Sequence, residues 1–103
     1  MALLALNQVT LATFTPHLNE TFSSQTEGGE GLEFTLYQAS AMPASDYPGK
    51  ERDPFQLRFS APSLNMLPQA IYRLQHATLG EIDVFLVPIR PEGDHYCYQA
   101  VFN

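Results

Sequence analysis

One cysteine, five basic residues and no tryptophan narrow this 103-residue chain before any motif is sought. With Cys97 alone, neither an intramolecular disulfide nor a cysteine-rich zinc site can form. Cys97 stands between Tyr96 and Tyr98 and reads as a buried structural thiol. A reactive thiol sits near cations or a helix N-terminus, and the sequence shows neither beside it. The basic residues Lys50, Arg52, Arg58, Arg73 and Arg90 are scattered, and 11 acidic residues outweigh them to give a net charge of −6. Nucleic acid and anionic membrane surfaces both require clustered cations, so neither is an expected partner. No stretch nears the ~18 apolar residues that a membrane-spanning helix needs. Met1 to Leu6 is apolar, but it lacks a basic flank and is too short for a secretory signal. The chain as it stands therefore reads as cytoplasmic, with export by a route lacking a cleaved signal left open.

What is present is an apolar fraction of 45%, with seven Phe and five Tyr, which suits one globular domain. A chain of this length buries roughly two thirds of its unfolded surface, enough for a single core. Period-two alternation dominates from Leu32 onward. Leu32, Phe34 and Leu36 share one face of a strand, and Phe55, Leu57 and Phe59 share one face of another. Ala70 to Gln75, Glu81 to Val87 and Tyr96 to Phe102 read as three more strands. Tyr96, Tyr98, Ala100 and Phe102 alternate with Cys97, Gln99 and Val101 in the last of them. An extended segment over 19–25 should pair with Leu32–Tyr37 around the glycine turn at 28–31. Thr10 caps a short helix over 7–16 that Pro16 limits.

The pattern predicts an all-β, mainly antiparallel domain: a small sandwich or partly open barrel of six to seven strands with one short N-terminal helix. Several details follow. A four-residue connection at 77–80 would set His76 opposite Glu81, Leu74 opposite Asp83 and Tyr72 opposite Phe85. Glu81–Val87, apolar on both sides beyond Asp83, reads as a strand covered twice. Pairing should weaken at Pro88, and 90–94 reads as a turn. Residues 39–54 read as a long irregular loop.

Chemistry is sparse. His17, His76 and His95 show no metal-ligand spacing, and His76 and His95 read as exposed turn histidines. No nucleophile elbow appears among the serines, and Glu81 with Asp83 reads as a solvated face. The glycines at 28, 29 and 31 lie between strands with no helix following, which does not make a phosphate cradle. No catalytic, cofactor or metal residue is assigned, and no cofactor is expected.

The motifs Leu32–Leu36, Phe55–Phe59, Leu67-Pro68-Gln69-Ala70-Ile71-Tyr72-Arg73-Leu74, Gly80-Glu81, Phe85-Leu86-Val87-Pro88 and Tyr96 through Asn103 resemble a small bacterial family, a domain of unknown function. Ala70 stands where the family pattern has glycine. The resemblance covers most of 10–103 and implies a compact β domain without known catalytic residues. It also implies an association with phage-tail-collar-like proteins, and hence an accessory or assembly role.

The expected function is a non-enzymatic protein-interaction or assembly module, binding a protein partner or a second copy. Its contacts are expected from the apolar arm at Leu3, Leu4 and Leu6, from Tyr47, Lys50 and Arg52 in the long loop, or from an edge strand. Two alternatives stand beside it. One is a small-ligand-binding barrel lined by Tyr96 and Tyr98, and the other is a hydrolase using His76 or His95.

Overall fold

The computed structural model describes residues 9–25, 29, 31–42, 54–62 and 66–102. Leu3, Leu4, Leu6, Tyr47, Lys50 and Arg52 lie outside them. Six strands follow a short helix: α1 (Leu11–Phe14), a 3-10 turn (Thr15–His17), β1 (Thr21–Gln25), β2 (Gly31–Ala41), β3 (Phe55–Ala61), β4 (Ala70–His76), β5 (Gly80–Glu92) and β6 (His95–Phe102). All strand pairs are antiparallel, and the order β1-β2-β3-β6-β5-β4 closes on itself. The domain is thus all-β and antiparallel with one short N-terminal helix, as expected, and its six strands close into a barrel.

Closure follows from alternation. Each strand turns one row of side chains inward, and six short strands enclose a space that side chains alone can fill. Phe22, Phe34, Leu36, Phe55, Leu57, Phe59, Leu74, Ile82, Val84, Leu86, Tyr98 and Ala100 supply that row and are all buried. Phe34 sits centrally, in edge-to-face contact with Phe59, Tyr72 and Tyr98. The Tyr98 hydroxyl accepts the Leu67 backbone N–H at 2.9 Å. Tyr98 is fully buried among these side chains and belongs to the core.

The helix is shorter than the 7–16 expected. Only Leu11–Phe14 is α-helical, with the Thr10 N–H donating to Thr13 Oγ1 at 3.0 Å, and Pro16 falls within the 3-10 turn. Its purpose is to cover one barrel end. Fully buried Phe14 meets Phe55 and Phe102, with centroids 6.0 and 5.8 Å away, and buried Val9 joins the same core.

Several expected details change. β2 continues through Ala41, so residues 39–41 are strand rather than loop, while 43–53 lie outside the described residues. The β4–β5 connection is three residues long, 77–79, because Gly80 takes φ of 88° and joins the ladder opposite His76. Every rung therefore shifts by one: Arg73 faces Asp83, Leu74 faces Ile82 and Tyr72 faces Val84. Arg73 grips Asp83 through two hydrogen bonds, of 2.8 and 3.1 Å, and Gln75 donates to Glu81 at 3.0 Å. These acids are bound to their neighbours across the ladder, and the Arg73 guanidinium holds the Asp83 carboxyl below its ordinary range. β5 extends to Glu92 with a register shift between Pro88 and Arg90, so pairing is irregular there without ending. The turn shrinks to Gly93-Asp94, with positive φ at Gly93 alone. β5 is covered on its inner face only, because Phe85 is exposed on the outside.

Phe34→Ala removes the ring on which three others close. We expect it to lower the unfolding free energy by about 3–5 kcal/mol, read by denaturant titration. A loss below about 1 kcal/mol would show that the lumen is not packed around this position.

Candidate functional site

Two polar clusters and one apolar patch stand out among the described residues. The first cluster is at the α1 end of the barrel. The 3-10 turn ends on His17, and Asn19 takes φ of 69°, a left-handed conformation that asparagine tolerates. That bend lets the Asn19 N–H donate to the Leu36 carbonyl at 2.6 Å and the Glu20 carbonyl accept from the Leu36 N–H at 3.1 Å. Glu20 is thereby fixed beside the end of β4, where His76 sits. Glu20 Oε1 lies 2.8 Å from His17 Nδ1 and 2.7 Å from His76 Nε2. The two imidazoles meet edge to face at 4.6 Å, and Phe22 packs on His76 at 4.6 Å.

His76 is buried at 5% exposure, which corrects its reading as an exposed turn residue. Its environment fixes its tautomer. Nδ1 accepts the backbone N–H groups of Thr78 and Leu79, each at 3.1 Å. A nitrogen receiving two hydrogen bonds carries no proton, so Nε2–H donates to Glu20. The imidazole thus caps its own hairpin turn and ties it to residue 20. Both of its nitrogens are engaged.

His17, Glu20 and His76 place their candidate ligand atoms within 4.8 Å of one another, which is compact enough for a metal ion. The chemistry does not fit one. A histidine that coordinates through one nitrogen donates the N–H of the other to its surroundings. Coordination through His76 Nε2 would require a proton on Nδ1, facing two backbone N–H donors. We read the cluster as a hydrogen-bonded brace between the N-terminal turn and the β4–β5 hairpin.

The second cluster lies on the outer wall. β2 carries a bulge: Leu36 faces Phe59, Gln38 faces Arg58, and Tyr37 is the extra residue between them. Tyr37, Ser60, Glu92, His95 and Cys97 line a trough of about 260 Å³. Cys97 points outward along β6 yet is buried, and its thiol donates to Glu92 Oε2 at 3.5 Å. His95 Nδ1 stands 2.6 Å from Asp94 Oδ1. Burial, reinforced by the neighbouring Cys97 thiol and the Glu92 carboxylate, pushes the Tyr37 phenol up to about 12, so it is an O–H donor at neutral pH. The Tyr37 hydroxyl is buried beside the Cys97 thiol, whose hydrogen bonding adds to the upward shift, and Arg58 Nε on the neighbouring strand is buried without a hydrogen-bond partner.

The apolar patch is on β4 and β5. Ile71 and Phe85 are cross-strand partners on the outside of the barrel, 69% and 52% exposed, and Val101 on β6 is 47% exposed.

From residue 9 to residue 102, the chain matches the family described as domain of unknown function DUF6916. The chain belongs to that family. No curated protein and no solved structure matches it. The DUF6916 region runs from buried Val9, at the α1 end, to Phe102, the last inward ring of β6, and so takes in all six strands and both polar clusters.

Sequence reasoning assigned none of Tyr37, Arg58, Glu20 or His17 to a site. His17 and Glu20, three apart after a helix, were the one local signal. Their meeting with His76 depends on the closure of β1 against β4, where Ser23 faces Gln75.

Two outcomes follow for the brace. Glu20 is held below its ordinary carboxyl value of 4.5, first by the hydrogen bond from His17 and then by that from His76. A lowered carboxyl contributes stability above its unfolded value, and that contribution is lost as pH falls through the lowered one. The denaturation midpoint of the native protein should therefore fall below about pH 4.5 more steeply than that of Glu20→Gln; parallel profiles would refute the brace. Zinc at tenfold excess should leave the melting temperature unchanged. A rise of several degrees that His76→Gln abolishes would restore the metal reading.

Proposed function

We propose that this domain is a non-enzymatic interaction module that assembles with another protein through the outer wall of its barrel. The observation that carries the reading is the Ile71–Phe85 rung. Two large apolar side chains face each other across β4 and β5 and point into solvent, with Val101 adding a third exposed apolar side chain on the outer face of β6. Apolar side chains grouped on a rigid strand pair form a common anchor for protein contact. Barrel closure argues against docking by strand addition, since addition uses an unpaired sheet edge. The net charge of −6 favours a protein partner over a nucleic acid or an anionic membrane.

The resemblance to a bacterial family associated with phage-tail-collar-like proteins supports a finer form of the proposal. The partner is then a component of a fibre system of that kind, and the domain is an accessory to its assembly.

Light scattering after size exclusion, with the products of the neighbouring genes, tests the proposal. A complex that forms with the native domain and weakens at least tenfold in the double variant Ile71→Ser, Phe85→Asp is expected. Both side chains are exposed, so the variant should unfold cooperatively as the native domain does. A strict monomer that binds none of these products would defeat the proposal.

A further inference from the structure

The seams of this barrel are unequal. Among the described residues β1 and β4 share one rung, Ser23 opposite Gln75, whereas every other pair of neighbouring strands shares five to seven. The ladder stops at once on one side of that rung. Gln25 and Arg73, which would come next on the same face, instead border a hollow of about 180 Å³ together with Ser24 and Gln75. The polar side chains of β4 there are committed to the strand on its other side. Arg73 is held by Asp83, and Gln75 donates to Glu81, both on β5.

On the other side of the rung stands the brace. Glu20 immediately precedes β1, and its carbonyl accepts the Leu36 N–H, which fixes it to β2. His76 ends β4, and its Nδ1 accepts the Thr78 and Leu79 N–H groups, which fixes it to the β4–β5 hairpin. The 2.7 Å bond from His76 Nε2–H to Glu20 Oε1 therefore ties two separately anchored halves across the seam. His17 donates to the same oxygen at 2.8 Å. A hydrogen bond to a carboxylate is stronger than one between neutral groups, so this tie counts for more than another ladder bond. The seam is thus bolted at its Glu20 end and already parted at its Gln25 end. The opposite seam, β3 with β6, is laddered over seven rungs and can hold the two meanders together while β1 and β4 separate.

We infer that the β1–β4 seam is a gate through which the barrel opens without unfolding, with the Glu20–His76 bond as its latch and the β3–β6 ladder as its hinge. Closure denies a strand edge to any partner while the gate holds, and opening supplies one on β1 and one on β4. The gate is a property of the fold and does not depend on the Ile71–Phe85 reading, so either can fail while the other stands.

Native-state hydrogen exchange tests the gate. The amides bonded across the Ser23–Gln75 rung should exchange at least tenfold faster than the slowest amides of the β3–β6 ladder. The opened and the unfolded states both lack the latch, so Glu20→Ala should speed the two sets by the same factor. If Glu20→Ala does not fold, Glu20→Gln, which keeps the shape and removes the charge, gives the comparison. The oxidised double variant Ser23→Cys, Gln75→Cys, made together with Cys97→Ser, closes the seam covalently, since residues opposite each other in an antiparallel ladder lie within disulfide reach. Its seam amides should slow to the pace of the β3–β6 ladder, and reduction should restore the difference. Seam amides that exchange no faster than the β3–β6 ladder in the native protein would overturn the gate. Seam amides unmoved by the Glu20 variant would overturn the latch.

Discussion

Phe34 meets Phe59, Tyr72 and Tyr98 at centroid separations of 6.3, 6.0 and 5.6 Å, and Phe22 meets Phe59 at 5.6 Å. These contacts join β1, β2, β3, β4 and β6 through one set of rings. Aromatic pairs of this kind add to the burial of their area, and their geometry fixes distances across the lumen. Because the rings occupy the interior, the strands close around them. Because the barrel closes, every outward side chain stands at a defined place on a rigid wall. The brace, the trough and the apolar rung all depend on that interior.

The wall is uneven for a physical reason. Regular alternation places one residue out for each residue in, and a purely regular barrel would carry a uniform polar coat. The bulges of β2 and β5 break the count. At each, an extra residue is added to one strand without a partner opposite, and a shallow concavity lies between the two. Cys97 illustrates the result: it points away from the lumen and is nonetheless buried. Its burial comes from side chains folded over the outer wall rather than from the core.

Much of the fold was legible in the chain because alternation is a local property. Phe55, Leu57 and Phe59 face inward as their spacing required, and so do Phe34, Leu36, Tyr98, Ala100 and Phe102. What escaped was anything set by a single residue's conformation or by distant contacts. Gly80 joined the ladder instead of remaining in the turn, and every rung of β4–β5 moved by one in consequence. His76 was misread because its burial depends on Glu20, 56 positions earlier, and on Phe22. The trough was invisible for a similar reason. A bulge at Tyr37 leaves no mark in the alternation of Leu32–Leu36, and the far wall comes from residues near the other end of the chain.

The strand order also divides the barrel into two meanders, β1-β2-β3 and β4-β5-β6, each built from consecutive segments. They join along two seams, β3 with β6 and β1 with β4. Neither seam can form until residues far apart in the chain have met, so loop closure delays both, while the hairpins within each meander form early. The β3–β6 seam runs the full length of β3, from Phe55 opposite Phe102 to Ala61 opposite Tyr96. The barrel closes only where the two meanders agree on that one register, and a slip of a single residue there would turn the inward rings of β3 or β6 out to solvent.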